Sequence, residues 1–117
     1  RVDVSDVGEQ DGMLADFVAR TGRLDVAVAN AGVTVYQDFF KFTPESFDRI
    51  VAINLRGTFF LAQRAARTMA ERGTKGRVVL VSSVLGALAI KNTSVYSMTK
   101  AGIQMLAKSL GLELGRL

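Results

Sequence analysis

The sequence predicts an α/β fold built on a doubly wound parallel sheet. Three observations support this: short apolar runs alternate with stretches of helical periodicity, glycines stand where helices should end, and the single proline stands where one should begin. Successive strands joined by a helix form right-handed parallel crossovers in nearly all known folds. We therefore expect the 117 residues to be part of one domain, spanning 1–117 and incomplete at both ends.

The first half of the chain carries one predicted helix between two predicted strands. Residues 1–5 are predicted to end a strand. A helix is predicted at about residues 9–21 from four apolar residues with helical spacing, namely Met13, Leu14, Phe17 and Val18. Gly22 is typical of the residue that follows a helix. Residues 24–29 form a short apolar run, which is typical of a parallel strand covered on both faces.

The second half carries a long helix, a strand and a last helix. Thr43 as N-cap, followed by Pro44, predicts a helix from residue 43 to about 72. Its stripe contains an amide among mostly apolar residues: Phe47, Ile50, Val51, Asn54, Leu55, Thr58, Phe59 and Ala62. Residues 77–82 are predicted as a strand. After a loop, the last helix is predicted at 93–114.

Composition excludes several classes of function. The 15 Lys and Arg residues are scattered among 11 Asp and Glu, so the net charge of +4 forms no stripe for nucleic acid. The chain has no Cys and no His, which predicts no metal site and no histidine base. No stretch reaches the roughly 18 apolar residues of a membrane span, and no signal peptide opens the chain. A cytoplasmic protein without membrane partners is expected.

Chemistry is expected after the strands, because ligands of parallel α/β sheets bind beyond the carboxyl ends of the strands. The residues at these places are Asp3, Val4, Asn30, Ala31, Gly32, Ser82 and Ser83. Gly32 would let the backbone approach a ligand closely. As a bare tripeptide, however, residues 30–32 are more often a turn than a site.

Tyr96 and Lys100 are four residues apart, so they share one face of the last helix about 6 Å apart along its axis. A nearby positive charge favours the phenolate of a tyrosine, which makes Tyr96 a candidate general base. The alternative is a chance pair on a solvated helix face.

Ser83 and Asn54 are the other candidates. Ser83 lies thirteen residues before Tyr96 and is followed by Gly86, so its hydroxyl is placed to hold a substrate oxygen or simply to cap a turn. Asn54 needs hydrogen-bond partners if it is buried in its stripe. It would bind a water, bend the helix, join a proton path or tie down a neighbouring loop.

Taken together, Asn30-Ala31-Gly32, Asn54, Ser83 and Tyr96-Ser97-Met98-Thr99-Lys100 resemble, in order and spacing, two motifs of the short-chain dehydrogenase/reductase family. These are the family's Asn-Ala-Gly motif and its Asn, Ser, Tyr, Lys tetrad. The resemblance covers essentially the whole chain. It implies an enzyme with a Rossmann-like fold that transfers a hydride between NAD or NADP and a small alcohol or carbonyl substrate. Sugar and polyol dehydrogenases and 3-oxoacyl carrier-protein reductases are enzymes of this kind.

The resemblance also implies a role for each member of the tetrad. Tyr96 would donate or accept the proton at the substrate oxygen, which Ser83 would orient. Lys100 would favour the tyrosine phenolate and bind the nicotinamide ribose. Asn54 would hold a water that links Lys100 to bulk solvent.

The cofactor-binding residues implied by the resemblance lie after the strands: Asp3 and Val4 beside the adenine ring, and Asn30, Ala31 and Gly32 beside the cofactor's strand. The family's glycine-rich pyrophosphate turn is absent, so the isolated 117 residues are expected to be inactive. The residue that separates NAD from NADP is expected upstream of residue 1.

Subunit association is expected as well. The helices at 43–72 and 93–114 are apolar enough to pair with a second copy. The resemblance implies the same, since similar members of the family form dimers and tetramers in this way. One alternative is a non-catalytic or truncated relative that only associates through these helices. Another is a flavodoxin-like binding module, which accounts for the alternation of elements but not for Ser83, Tyr96 and Lys100.

Overall fold

The computed structural model describes residues 1–116. The strands and α-helices found there are α1 (Val7–Thr21), β1 (Val26–Ala29), α2 (Pro44–Val51), α3 (Thr58–Glu71), β2 (Arg77–Leu80) and α4 (Ser94–Leu114). A π-helical turn, Ala52–Gly57, joins α2 to α3 without a break. Short 3₁₀ turns lie at Phe39–Lys41 and Val84–Gly86. The predicted order of helices and strands from residue 9 onward is therefore confirmed.

The two strands form a parallel pair, which confirms the α/β class. Their register places Val26 beside Arg77 at one end and Ala29 beside Leu80 at the other. The helices cover only one face, because Ala29 is buried while Val26 and Val28 are 55% and 53% exposed. The apolar run predicted that both faces of the strand are covered, but within residues 1–116 one face remains exposed.

Residues 1–5 do not form a strand, so that prediction is wrong. A strand needs a neighbouring strand for its backbone groups, and neither β1 nor β2 pairs with this segment. The segment instead forms a turn against the start of α1. The Asp6 N–H donates to the Asp3 carbonyl at 3.1 Å, and the Asp3 N–H donates to the Glu9 carboxylate at 2.6 Å.

Both ends of α1 follow from local chemistry. The Asp6 carboxylate accepts from the N–H groups of Gly8 and Glu9, which have no partner inside the helix. Gly22 follows the last turn with a φ of 78°, a left-handed conformation that glycine adopts at little cost. The predicted stop at Gly22 is thus confirmed.

The core lies between α1, α3 and the inner face of the sheet. Its members are Leu14, Val18, Leu24, Ala27, Ala65 and Met69. The buried face of α1 runs through Gln10, Leu14 and Val18. Met13 and Phe17, which share the helical spacing of the core residues, are exposed, because the core contacts only a narrow stripe of this helix.

The long helix begins as predicted. The Thr43 hydroxyl accepts from the Ser46 N–H at 3.2 Å, and Pro44 fills the first helical position. The sequence did not predict the π-helical turn. Such turns take one extra residue and are frequent at functional sites. This one contains Asn54, which is fully buried.

The last helix leaves several apolar side chains exposed within residues 1–116. Ile103 is buried, but Met105 is exposed and Leu112 is 88% exposed within the described chain. The helix runs for 21 residues. None of the helices within residues 1–116 is both long enough and apolar enough to cross a membrane.

We expect Asp6→Ala to lower the free energy of unfolding by about 1 kcal/mol, because two N–H groups at the start of α1 lose their acceptor. Urea denaturation followed by circular dichroism measures the change. Asp16→Ala is the control, since Asp16 forms only an exposed ion pair with Arg20. Equal stability losses in the two variants would contradict the capping role.

Candidate active site

Asn54 joins three parts of the molecule. Its Oδ1 accepts from the Val33 N–H at 2.8 Å, and its Nδ2 donates to the Val33 carbonyl at 2.8 Å. Nδ2 also donates to the Thr99 hydroxyl at 3.2 Å. The paired contacts with Val33 fix the orientation of the carboxamide. Of the alternatives open from the sequence, the structure shows that Asn54 lies in an altered helical turn and ties down the loop after β1.

Lys100 brings a buried ammonium group to the ends of the strands. The residue is 5% exposed, and its Nζ donates to the Val81 carbonyl at 2.8 Å, one residue beyond β2. A buried charge requires such partners. Nζ also lies 5.7 Å from the centre of the Tyr96 ring, so the predicted pair shares one helix face. The Tyr96 side chain is half-buried, in contrast to a solvated pair.

Gly32 completes the space around the ammonium. A Cβ on this glycine would lie 3.4 Å from Asn54 Oδ1 and 3.5 Å from Lys100 Nζ. Asn30, Ala31 and Gly32 are all exposed at the end of β1. The missing side chain therefore leaves open an accessible space beside both polar groups.

The loop after β2 is held against α4. The Ser82 hydroxyl donates to the Lys100 carbonyl at 2.8 Å, and the Ser83 carbonyl accepts from Gln104 Nε2 at 3.3 Å. Gly86 permits this approach, since a Cβ there would lie 2.9 Å from the Lys100 carbonyl oxygen. The Ser83 hydroxyl accepts from the Leu85 N–H at 3.1 Å, as a turn cap does.

Val4 contacts Gly57, the last residue of the π-helical turn, while Asp3 bonds to its own neighbours in the chain. A Cβ on Gly57 would stand 2.5 Å from the Val4 carbonyl oxygen, so only glycine permits the contact. The Asp3 carboxylate accepts from the Ser5 hydroxyl at 2.7 Å and from the Ser5 N–H at 2.9 Å. Both hydrogen bonds lower the pKa of the exposed Asp3 carboxyl, and the bond from the Ser5 hydroxyl has the larger effect.

Sequence reasoning missed several residues of the site. Thr99 is fully buried, accepts from Asn54 and donates from its hydroxyl to the Tyr96 carbonyl at 2.7 Å. The sequence could have indicated Thr99 through its position between Tyr96 and Lys100 on a predicted buried helix. Val33 and Val81 act through backbone groups, which leave no mark in the sequence.

Residues 1–117 match the family model described as short chain dehydrogenase. The chain belongs to this family. The resemblance drawn from the tetrad and the Asn-Ala-Gly motif is thereby confirmed at the level of the family.

Individual relatives agree with this membership. L-xylulose reductase of Homo sapiens is 43% identical over 94 residues, covering 80% of this chain and 38% of the relative. A short-chain type dehydrogenase/reductase from Mycobacterium marinum superimposes with a TM-score of 0.95 at 33% identity, covering 99% of this chain and 46% of that one. The chain thus spans less than half the length of these relatives.

A further solved relative carries ligands. Gluconate 5-dehydrogenase from Burkholderia cenocepacia, in complex with NADP and tartrate, has a TM-score of 0.91 at 32% identity. The match covers 97% of this chain and 44% of that one. These structures confirm that the short parallel sheet and its helices are part of a Rossmann-like fold.

We expect Ser5→Ala to raise the pKa of the Asp3 carboxyl toward its ordinary value of 3.8, because the stronger of two hydrogen bonds is lost. The lowered pKa stabilises the fold above that value, and this contribution disappears as the pH falls through the folded-state pKa. An NMR titration of the Asp3 carboxyl carbon measures the change. Ser46→Ala is the matched control, and an unaltered Asp3 pKa in Ser5→Ala would refute the assignment.

Proposed function

We propose that the protein is an NAD(P)-dependent oxidoreductase that transfers a hydride between the nicotinamide cofactor and a small alcohol or carbonyl substrate. The observation that carries this proposal is the buried Lys100 ammonium beside Tyr96, at the carboxyl end of two parallel strands. Family membership supports it, and so does the NADP complex of gluconate 5-dehydrogenase.

The residues present fit the nicotinamide half of such a cofactor. Lys100 uses one donor on Val81, and two hydrogens of the ammonium remain for the ribose hydroxyls. Gly32 keeps the space beside Nζ open, with Asn30 and Ala31 on the same strand end. Asp3 and Val4 are assigned to the adenine end by the family resemblance.

When bound, the cofactor supplies or accepts the hydride. In the direction of reduction, Tyr96 donates its phenol proton to the substrate oxygen, and in oxidation its phenolate takes that proton back. Lys100 places its positive charge beside the Tyr96 ring, with 5.7 Å between Nζ and the ring centre. The Ser83 hydroxyl, whose oxygen already accepts from Leu85, donates its hydrogen to the substrate oxygen and orients it. Asn54 is assigned a water that connects Lys100 to solvent.

The proposed substrate is a sugar or polyol, or alternatively a 3-oxoacyl thioester. The names of L-xylulose reductase and gluconate 5-dehydrogenase favour the first class. Dimers or tetramers are proposed through the helices at 43–72 and 93–114, on which Phe59, Met105 and Leu112 are exposed. A cytoplasmic location and inactivity of the bare 117 residues stay predictions from the sequence.

We expect Tyr96→Phe in the full-length protein to lower kcat about 10²- to 10⁴-fold, because the phenyl ring has no proton to exchange. Nucleotide affinity stays nearly unchanged. The measurement follows absorbance of the reduced cofactor against polyols, sugars and oxoacyl thioesters. Tyr36→Phe, at the chain's other tyrosine, which is 66% exposed, is the matched control.

Lys100→Met extends the same experiment. We expect it to impair both turnover and nucleotide binding, because the ammonium serves the tyrosine and the ribose. Undiminished turnover in Tyr96→Phe would overturn the catalytic assignment. A folded wild-type protein that associates but turns over none of the panel would favour the non-catalytic alternative.

A further inference from the structure

Gln10 stands in α1 where an apolar side chain is expected. Gln10, Leu14 and Val18 follow one another at intervals of four residues and form the buried face of the helix. Gln10 is 0% exposed. Burying a carboxamide costs free energy unless its polar atoms are hydrogen bonded, so this glutamine must serve a specific contact.

Its Nε2 group donates to two carbonyl oxygens from different parts of the chain. One belongs to Val4 at 2.7 Å and the other to Gly57 at 3.0 Å. The opposite orientation would place Oε1 against both carbonyls, so the orientation is fixed. Oε1 itself has no hydrogen-bond partner within residues 1–116. The side chain therefore tolerates an unsatisfied acceptor while it bridges two backbone carbonyls.

One bridged carbonyl lies in the segment assigned to adenine, and the other lies at the end of the π-helical turn. Val4 follows Asp3 in the segment assigned to adenine, and Gly57 ends the π-helical turn that contains Asn54. This segment has no strand partner in the described structure. Besides Gln10, it is fixed to the turn by Arg56 Nη1, which donates to the Ser5 carbonyl at 2.9 Å.

We infer that Gln10 is a positioning residue: its carboxamide holds the Asp3–Val4 segment on the π-helical turn and thereby sets the affinity for the adenine end of the nucleotide. This inference rests on the proposed function, which assigns Asp3 and Val4 to adenine. A segment held in its binding conformation loses less entropy when the ligand binds. Release of the Val4 carbonyl would remove that advantage at the adenine end only.

The test compares two halves of the dinucleotide in the full-length protein. AMP carries the adenine end and nicotinamide mononucleotide carries the other, and each is measured as a competitive inhibitor against the cofactor. Gln10→Met keeps the length of the side chain and removes both donors. We expect AMP to bind about tenfold more weakly, while the mononucleotide constant and kcat change less than about twofold.

Further variants test whether the effect on AMP binding is specific to the Gln10 carboxamide. Gln63→Met makes the same change at an exposed position of α3 and should leave AMP binding unchanged. Gly57→Ala is a second route, because its Cβ would displace the Val4 carbonyl, and it should also weaken AMP. If Gln10→Met does not fold by circular dichroism, Gly57→Ala decides, since it displaces the Val4 carbonyl while it keeps Gln10.

Unchanged AMP binding in folded Gln10→Met, or equal losses for AMP and the mononucleotide, would overturn the inference. Failure of the proposed function gives a different result. In that case the wild-type protein itself neither binds AMP nor turns over cofactor, and this is seen before any variant is compared.

Discussion

A buried carboxamide has to be hydrogen bonded, and this requirement determines how the parts of the site meet. The Asn54 carboxamide forms hydrogen bonds with the N–H and the carbonyl of Val33 and with the Thr99 hydroxyl. The loop after β1, the π-helical turn and α4 are thereby joined at one point. Loss of these contacts would leave polar groups buried without partners, at about 1–3 kcal/mol for each group. The open space at Gly32 depends on this junction.

The charge of the site follows from the same arrangement. Lys100 reaches from α4 to the Val81 carbonyl, and the Ser82 hydroxyl returns a hydrogen bond to the Lys100 carbonyl. Lys100 is thus anchored at its ammonium and at its backbone carbonyl, and the residue is 5% exposed. A surface lysine would lose this advantage to solvent and to its own flexibility.

The sequence predicts correctly those parts of the fold that depend on residues close together in the chain. Thr43 and Gly22 marked helix ends correctly because caps depend on neighbouring residues. Asn54 attracted notice because an amide interrupted an apolar stripe, although its π-helical turn arises from tertiary contacts that no short window contains. Residues 1–5 read as a strand, since the sequence cannot show whether a partner strand is present. Gln10 escaped notice because its role depends on two distant carbonyls.

The most direct test of the account is the fate of the hydride. Full-length protein is supplied with cofactor deuterated at the reactive position of the reduced nicotinamide, together with ketose and 3-oxoacyl thioester substrates, and products are analysed by mass spectrometry. We expect an alcohol that carries one deuterium on its carbinol carbon. A reduced product without deuterium, or no alcohol from any substrate although nucleotide is bound, would contradict it.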